Sequence, residues 1–277
     1  METKEKVVKR EGKKSRGVSA GIIIVCAFAL AVLFFTQILG ADTNFKGFGE
    51  ANFDKAGAHP LNMLGTMYKG GFMVPAILTL LLTVIIMSVE RFFALNKAQG
   101  KGNLTNFVAN VKAELKKNNI VAAEALCAKQ QGSVAAIVDA GLKKYKEMET
   151  ATITKEAKIE EVKAELEEAT ALELPSLQQN LPIIATISTL GTLFGLLGTV
   201  LGMIRSFGAM GDAGGTDAVA LSTGISEALI NTASGIATGA LAIITYSFFT
   251  GKIDTMTYAI DEMGFAITQT YAETHKS

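Results

Sequence analysis

Charge, histidine and cysteine are all scarce in this chain. Asp, Glu, Lys and Arg make up 19% of its 277 residues, where ordinary soluble domains carry roughly 25%. Mean hydropathy is +0.33. This deficit argues against a soluble domain and for membrane spans. The two histidines, His59 and His275, have no Cys or His neighbour at ligand spacing, which excludes the common metal sites. The two cysteines have different settings, Cys26 in an apolar run and Cys127 in a charged segment, so no disulfide is expected between them. Basic and acidic residues number 26 each, so net charge gives no sign of a nucleic-acid partner. No nucleotide loop, Ser/His/Asp set or cofactor motif is present. The sequence therefore reads as a non-enzyme without cofactor or metal.

What it has instead is four apolar runs, at 19–39, 72–95, 181–207 and 218–250. Each is long enough to cross a bilayer, which takes about 20 helical residues. Lys and Arg set the expected orientation. The N-terminus holds Lys4, Lys6, Lys9, Arg10, Lys13, Lys14 and Arg16, and 96–180 is rich in lysine. The segment 208–217 has no basic residue, only Asp212 and Asp217. The resulting division is a basic cytoplasmic N-terminus (1–18), an extra transmembrane anchor (19–39) and a periplasmic segment (40–71). A span (72–95), a cytoplasmic helical domain (96–180) and a second span (181–207) follow. A periplasmic turn (208–217), a last span (218–250) and a cytoplasmic tail (251–277) complete the chain. The first run has a second reading as a signal peptide. Its length and the poor cleavage site at Gln37 to Gly40 favour a retained anchor. The expected fold is an all-α membrane protein whose transmembrane helices are extended by cytoplasmic ones.

In the central segment Ile159, Val162, Leu166 and Ala169 recur at helical spacing among acidic residues. It reads as a solvated helical hairpin, or as helices that prolong the spans and pack between subunits. Asn118, Asn119 and Gly132 mark breaks, and Pro175 and Pro182 punctuate the approach to the third span.

The third span carries a stripe of Gly191, Gly195, Gly198 and Gly202, with Thr199 beside it. Small residues let helix backbones approach closely in lipid. In the fourth span Thr223, Glu227, Asn231, Ser234 and Thr238 share one face. Ala228, Thr232, Gly235 and Gly239 form a second, small-residue face. These two small-residue faces are expected to hold copies of the chain together.

A polar stripe in a span faces a partner helix or a watery path, and Glu227 is the residue that decides. A charge at mid-bilayer costs about 2.5–3.5 kcal/mol on insertion scales, so an acidic residue there is a functional candidate by default. Its carboxyl can exchange between charged and neutral forms and so carry protons. The alternative is a structural Glu paired with a cation, for which Arg205 is the nearby candidate. Counting outward from a turn centred on position 213, Thr199 and Glu227 fall at equal depth, so a hydroxyl and a carboxyl at one level could share a proton path.

The stretches GLLGTVLGMIRSF (195–207) and GISEALINTASG (224–235), with Gly70-Gly71 and Glu90-Arg91 flanking the second span, resemble the MotA/TolQ/ExbB proton channel family. That resemblance covers most of the chain from Gly70 onward. It implies an inner-membrane motor subunit that forms a homo-oligomeric ring, a pentamer, around a one-span ExbD-like partner. Proton flow through such a complex drives a TonB-like protein that energises outer-membrane transport. By the same resemblance Glu227, Thr199 and Thr232 line the proton pathway. The chain departs from the pattern at Thr192 and Leu241, where prolines are common, and at Ser247, where an Asn is common, so its helix ends are expected to bend differently. The extra first span resembles the four-span flagellar MotA, but MotA-like proteins lack the Glu of the second motif, which favours the ExbB/TolQ branch. Alternatives are a TolQ-like subunit of the Tol-Pal system, another stator, or a passive membrane scaffold.

Overall fold

A computed structural model describes residues 20–48, 58–212 and 218–275. Nine α-helices are found among them. They are α1 (Ala20–Leu33), α2 (Met63–Tyr68), α3 (Met73–Gln99), α4 (Leu104–Lys116), α5 (Ile120–Gln130), α6 (Gly132–Thr150), α7 (Lys155–Gln178), α8 (Leu181–Asp212) and α9 (Ala218–Thr274). A π-helical stretch, Phe34–Leu39, continues α1, and a short 3-10 turn spans Asp42–Asn44. The described residues contain no β-strand beyond an isolated antiparallel bridge of Phe45 with Pro60. The chain is an all-α membrane protein, with four helical stretches long and apolar enough to cross a bilayer. It divides into two compact units, and α3 and α9 contribute residues to both.

The charged unit comprises Phe92–Gln179 and Thr250–Ser277. Its helices start where side chains satisfy free backbone N–H groups: Asn103, Asn119 and Thr154 each accept from the first turn. Asn118, Gln131 and Gly132 have positive φ and separate α4, α5 and α6. The core joins Phe107, Val111 and Leu115 to Val138, Leu142, Tyr145, Val162 and Leu166. Gly141 brings α6 within reach of Leu166, where a β-carbon would stand 2.5 Å from Cδ2. Ile159 and Ala169 pack at the edge of this core.

The segment 251–277, expected as a cytoplasmic tail after the last span, is helical as far as Thr274, as a continuation of α9. The reason lies in Ile253, Met256, Ile260, Met263, Ile267 and Tyr271, which recur every three or four residues and are buried. Tyr271 donates to the Met148 carbonyl at 2.9 Å and packs edge-on against Tyr145. Pro175 lies inside α7 rather than at its end, and the break comes at Asn180, with φ +65°. The turn predicted over 208–217 is shorter, since α8 is helical through Asp212; 213–217, like the basic segment 1–18, lie outside the described residues.

The apolar unit comprises Val18–Arg91 and Asn180–Phe249. The segment 40–71 is structured in its described part. Buried Asn44 donates to the Ile38 and Leu39 carbonyls at 2.7 and 3.1 Å, and Asn62 Nδ2 donates to Asn44 Oδ1 at 2.9 Å. Phe35 stacks on Tyr68 at 4.7 Å between centroids. Ala31, Leu39, Val74 and Leu78 pack together beside them. Fully buried Arg91 pairs with Glu90, which also accepts from Asn180 Nδ2 at 3.2 Å. Bands of large apolar residues stay exposed, including Val25 and Phe28 on α1, Leu196 and Ile204 on α8, and Leu229 and Ile244 on α9. Such contiguous apolar surface suits lipid or another membrane helix rather than water.

Candidate functional site

The site is built on the antiparallel pair α8 and α9. Glycine sets their spacing. A β-carbon on Gly191 would lie 2.9 Å from Gly239 N, and one on Gly195 would lie 3.0 Å from the Asn231 carbonyl. One on Gly202 would lie 3.2 Å from Ala228 N, and one on Gly198 would lie 2.5 Å from Asn231 Cβ. Gly235 faces Gly195 and the Gly191 carbonyl in the same way. The small-residue faces are thus spent inside one chain, not between copies as the sequence suggested. Gly191, Gly195, Gly198, Gly202, Gly235 and Gly239 are helix-packing residues of a hairpin, because two stripes on consecutive helices meet before any second chain is needed.

The facing pairs Gly191–Gly239, Gly195–Gly235, Gly202–Ala228 and Ser206–Gly224 are all centred on position 215. The expected centre was 213. The difference follows from the helix ends, Asp212 and Ala218, whose midpoint is 215. Thr199 therefore faces position 231, and Glu227 lies one turn, about 6 Å, nearer the hairpin end. Thr199 and Glu227 are not level. Thr199 Oγ1 instead hydrogen-bonds Thr232 Oγ1, donates to the Gly195 carbonyl at 3.1 Å and reaches the Ala228 carbonyl at 3.5 Å. The two hydroxyls that the resemblance singled out form one pair.

Glu227 is the only acidic residue between 218 and 250, and Arg205 the only charge between 181 and 207. The structure joins them. Arg205 Nη1 donates to Glu227 Oε1 at 2.9 Å, with the Glu227 side chain 14% exposed and that of Arg205 51%. Arg205 is the cation that the sequence offers as a structural partner for Glu227. The corrected register makes the contact possible. Phe72, at the entry to α3, lies against the guanidinium, 4.8 Å from Arg205 Cζ to the ring centroid. No sequence signal marked Phe72.

The polar stripe of α9 has mixed surroundings. Asn231 is fully buried and donates to the Gly70 carbonyl at 2.8 Å, so its amide nitrogen is held by the turn that leads into α3. Thr238 donates to the Ser234 carbonyl at 2.9 Å, and both residues border an apolar cavity of about 160 Å³ with Val74, Ile77 and Leu78. Thr223 is exposed one turn before Glu227. Two buried polar atoms, Asn231 Oδ1 and Ser206 Oγ, have no hydrogen-bond partner among the described residues. They flank the ion pair in sequence, Ser206 next to Arg205 and Asn231 one turn from Glu227. An unsatisfied buried acceptor or hydroxyl costs about 1–3 kcal/mol, and such groups commonly hold water. Among the described residues no cluster of three or more His, Cys, Asp or Glu could hold a metal ion.

Residues 129–262 match the MotA/TolQ/ExbB proton channel family. That span is shorter than the stretch from Gly70 onward that the motifs suggested, but it contains Thr199, Glu227 and Thr232. The chain is 42% identical over 90 residues to ExbB-like protein 3 of Synechocystis sp., covering 32% of this chain and 41% of that protein. It is 40% identical over 80 residues to the biopolymer transport protein ExbB of Helicobacter pylori, covering 29% and 55%. It is 30% identical over 117 residues to the Tol-Pal system protein TolQ of Pseudomonas aeruginosa, covering 42% and 51%. The chain thus spans about half the length of these relatives. Two apolar helices packed glycine to glycine, a single carboxyl between positions 218 and 250 and a hydroxyl pair between the helices lie in the region where the likeness falls, residues 129–262, which are similar to the MotA/TolQ/ExbB proton channel family.

Proposed function

We propose that this chain is the proton-conducting subunit of a membrane motor complex of the ExbB–ExbD type, with Glu227 as the proton carrier. The observation that carries the reading is Glu227 itself, the single carboxyl in the apolar stretch 218–250 of α9, held by one hydrogen bond from a half-exposed guanidinium. The Thr199–Thr232 hydroxyl pair and the unpartnered Asn231 Oδ1 and Ser206 Oγ supply donors and acceptors along the same seam. The complex lies in the inner membrane, where copies of this chain form a pentameric ring around a one-span ExbD-like subunit. The proton gradient is used to energise a TonB-like protein for outer-membrane transport. Since the TolQ protein is also a relative, the Tol-Pal system is the alternative coupling.

A second reading is favoured by the ion pair: Glu227 as the structural partner of Arg205 in a passive scaffold. Proton flux in proteoliposomes of the purified complex separates the two. Glu227→Gln keeps size and hydrogen bonding but cannot titrate, so flux stops while expression and assembly stay normal. Glu227→Asp, one methylene shorter, retains part of it. Full flux in an assembled Glu227→Gln complex rules out proton carriage, and loss of the folded protein in that variant favours the scaffold.

A further inference from the structure

Three consecutive residues before α3 each engage a different member of the polar site. The Gly70 carbonyl accepts from Asn231 Nδ2 at 2.8 Å. Gly71 has φ +75°, and a β-carbon there would overlap the Glu227 carboxylate and stand 3.3 Å from Arg205 Nη1. The Phe72 ring covers the Arg205 guanidinium. The turn is fixed from its own side by Gly70 N–H to the Met67 carbonyl and Gly71 N–H to the Tyr68 carbonyl, at 3.0 and 3.1 Å, and by Val74 N–H to the Gly71 carbonyl at 3.2 Å. Position 71 makes two demands, a left-handed backbone and no β-carbon, that glycine alone meets. The left-handed conformation serves the turn itself. The missing β-carbon serves Glu227, since carboxylate and guanidinium atoms are what occupy that space.

We propose that Gly70-Gly71-Phe72 is a clamp on the Glu227 site, with Gly71 and Phe72 as positioning residues that hold the carboxylate on Arg205 and cover it. The clamp stands on the contacts alone. Its consequence, that proton exchange at Glu227 requires the turn to lift, rests on the proposed function.

Two measurements test the clamp without any transport assay. The first is modification of Glu227 by dicyclohexylcarbodiimide, which attacks protonated carboxyls in apolar surroundings, followed in the purified complex by peptide mass spectrometry. Phe72→Leu keeps an apolar side chain but removes the ring, so labelling of Glu227 becomes several-fold faster than in the native complex. An unchanged rate overturns the clamp. The second is a double-mutant cycle on thermal unfolding in detergent. Gly71→Ala lowers the midpoint through both backbone strain and the collision with Glu227. In a Glu227→Asp background the carboxylate is withdrawn by one methylene, so the same substitution lowers the midpoint less. Equal losses in both backgrounds mean that Gly71 serves the turn only, and overturn its positioning role. Retained flux in Glu227→Gln would sink the proposed function and leave both of these results standing.

Discussion

Gly235→Ala probes the α8–α9 seam most directly. The added β-carbon would stand 2.5 Å from the Gly191 carbonyl oxygen, 2.6 Å from Gly195 Cα and 2.9 Å from Gly195 N. All three are backbone atoms of α8, so no side chain can rotate out of the way. Carbon atoms pack best at 3.5–4.0 Å, so the helices must part by about 1 Å at this level. Overpacking a tight interface costs about 1–3 kcal/mol. Alanine in a helix returns about 0.5–1 kcal/mol relative to glycine, which leaves a net loss of about 1 kcal/mol. Separation here also strains the Thr199–Thr232 hydrogen bond, one turn away. Gly251, in the same helix, provides a control of opposite sign. Nothing lies within 4 Å of its absent β-carbon, so Gly251→Ala gains about 0.5–1 kcal/mol from helix propensity alone. Thermal unfolding in detergent, followed by helical circular dichroism, should place the Gly235→Ala midpoint below native and the Gly251→Ala midpoint above it. A Gly235→Ala protein as stable as Gly251→Ala would refute the claim that these glycines are set by close helix packing.

Thr199→Val removes one of the paired hydroxyls at similar volume. It is expected to cost about 0.5–1.5 kcal/mol in thermal unfolding and to lower proton flux less than Glu227→Gln does. Burial, aided by Asp139 and Glu124, pushes the Cys127 thiol up to about 12, so the native protein should resist iodoacetamide at this site while the urea-unfolded chain reacts. The sign for stability follows: the folded thiol value is raised, so its contribution is complete below the unfolded value of about 8.5 and is lost as pH rises toward about 12. Urea midpoints should fall over that range, and less steeply in Cys127→Ala. For topology, single cysteines at Phe48 and Ser133 in a Cys-free background are treated with an impermeant thiol reagent on spheroplasts. Labelling at 48 and protection at 133 is the expected result, and the reverse pattern would invert the orientation.

The ion pair shows where reading the sequence stopped. Glu227 stood out because a carboxyl inside an apolar run is expensive wherever the chain folds, and no tertiary information is needed to see that. Its partner did not stand out, because the pairing depends on where the hairpin turns. A centre of 213 made Thr199 and Glu227 level, whereas the true centre of 215 moves them one turn apart and brings Arg205 to Glu227. Two residues of register suffice, since facing positions on an antiparallel pair shift by twice the displacement of the turn. The buried face of α9 beyond position 250 is a different case. Its three-and-four spacing was present in the sequence but diluted by Thr, Asp and Glu on the other face.

By itself the sequence determined the quantities that add up along the chain: four helical stretches of membrane length, the charge asymmetry between segments, the glycine stripes and the unusual carboxyl. These follow from transfer free energies and helical periodicity, which act within about 20 residues. Only the tertiary structure decided which surfaces meet. It turned the glycine stripes inward onto each other, paired Thr199 with Thr232, and brought Gly70, Gly71 and Phe72, more than 130 positions away in sequence, onto Asn231, Glu227 and Arg205. Such contacts depend on the meeting of separate helices, and no local pattern along a single helix encodes its neighbour.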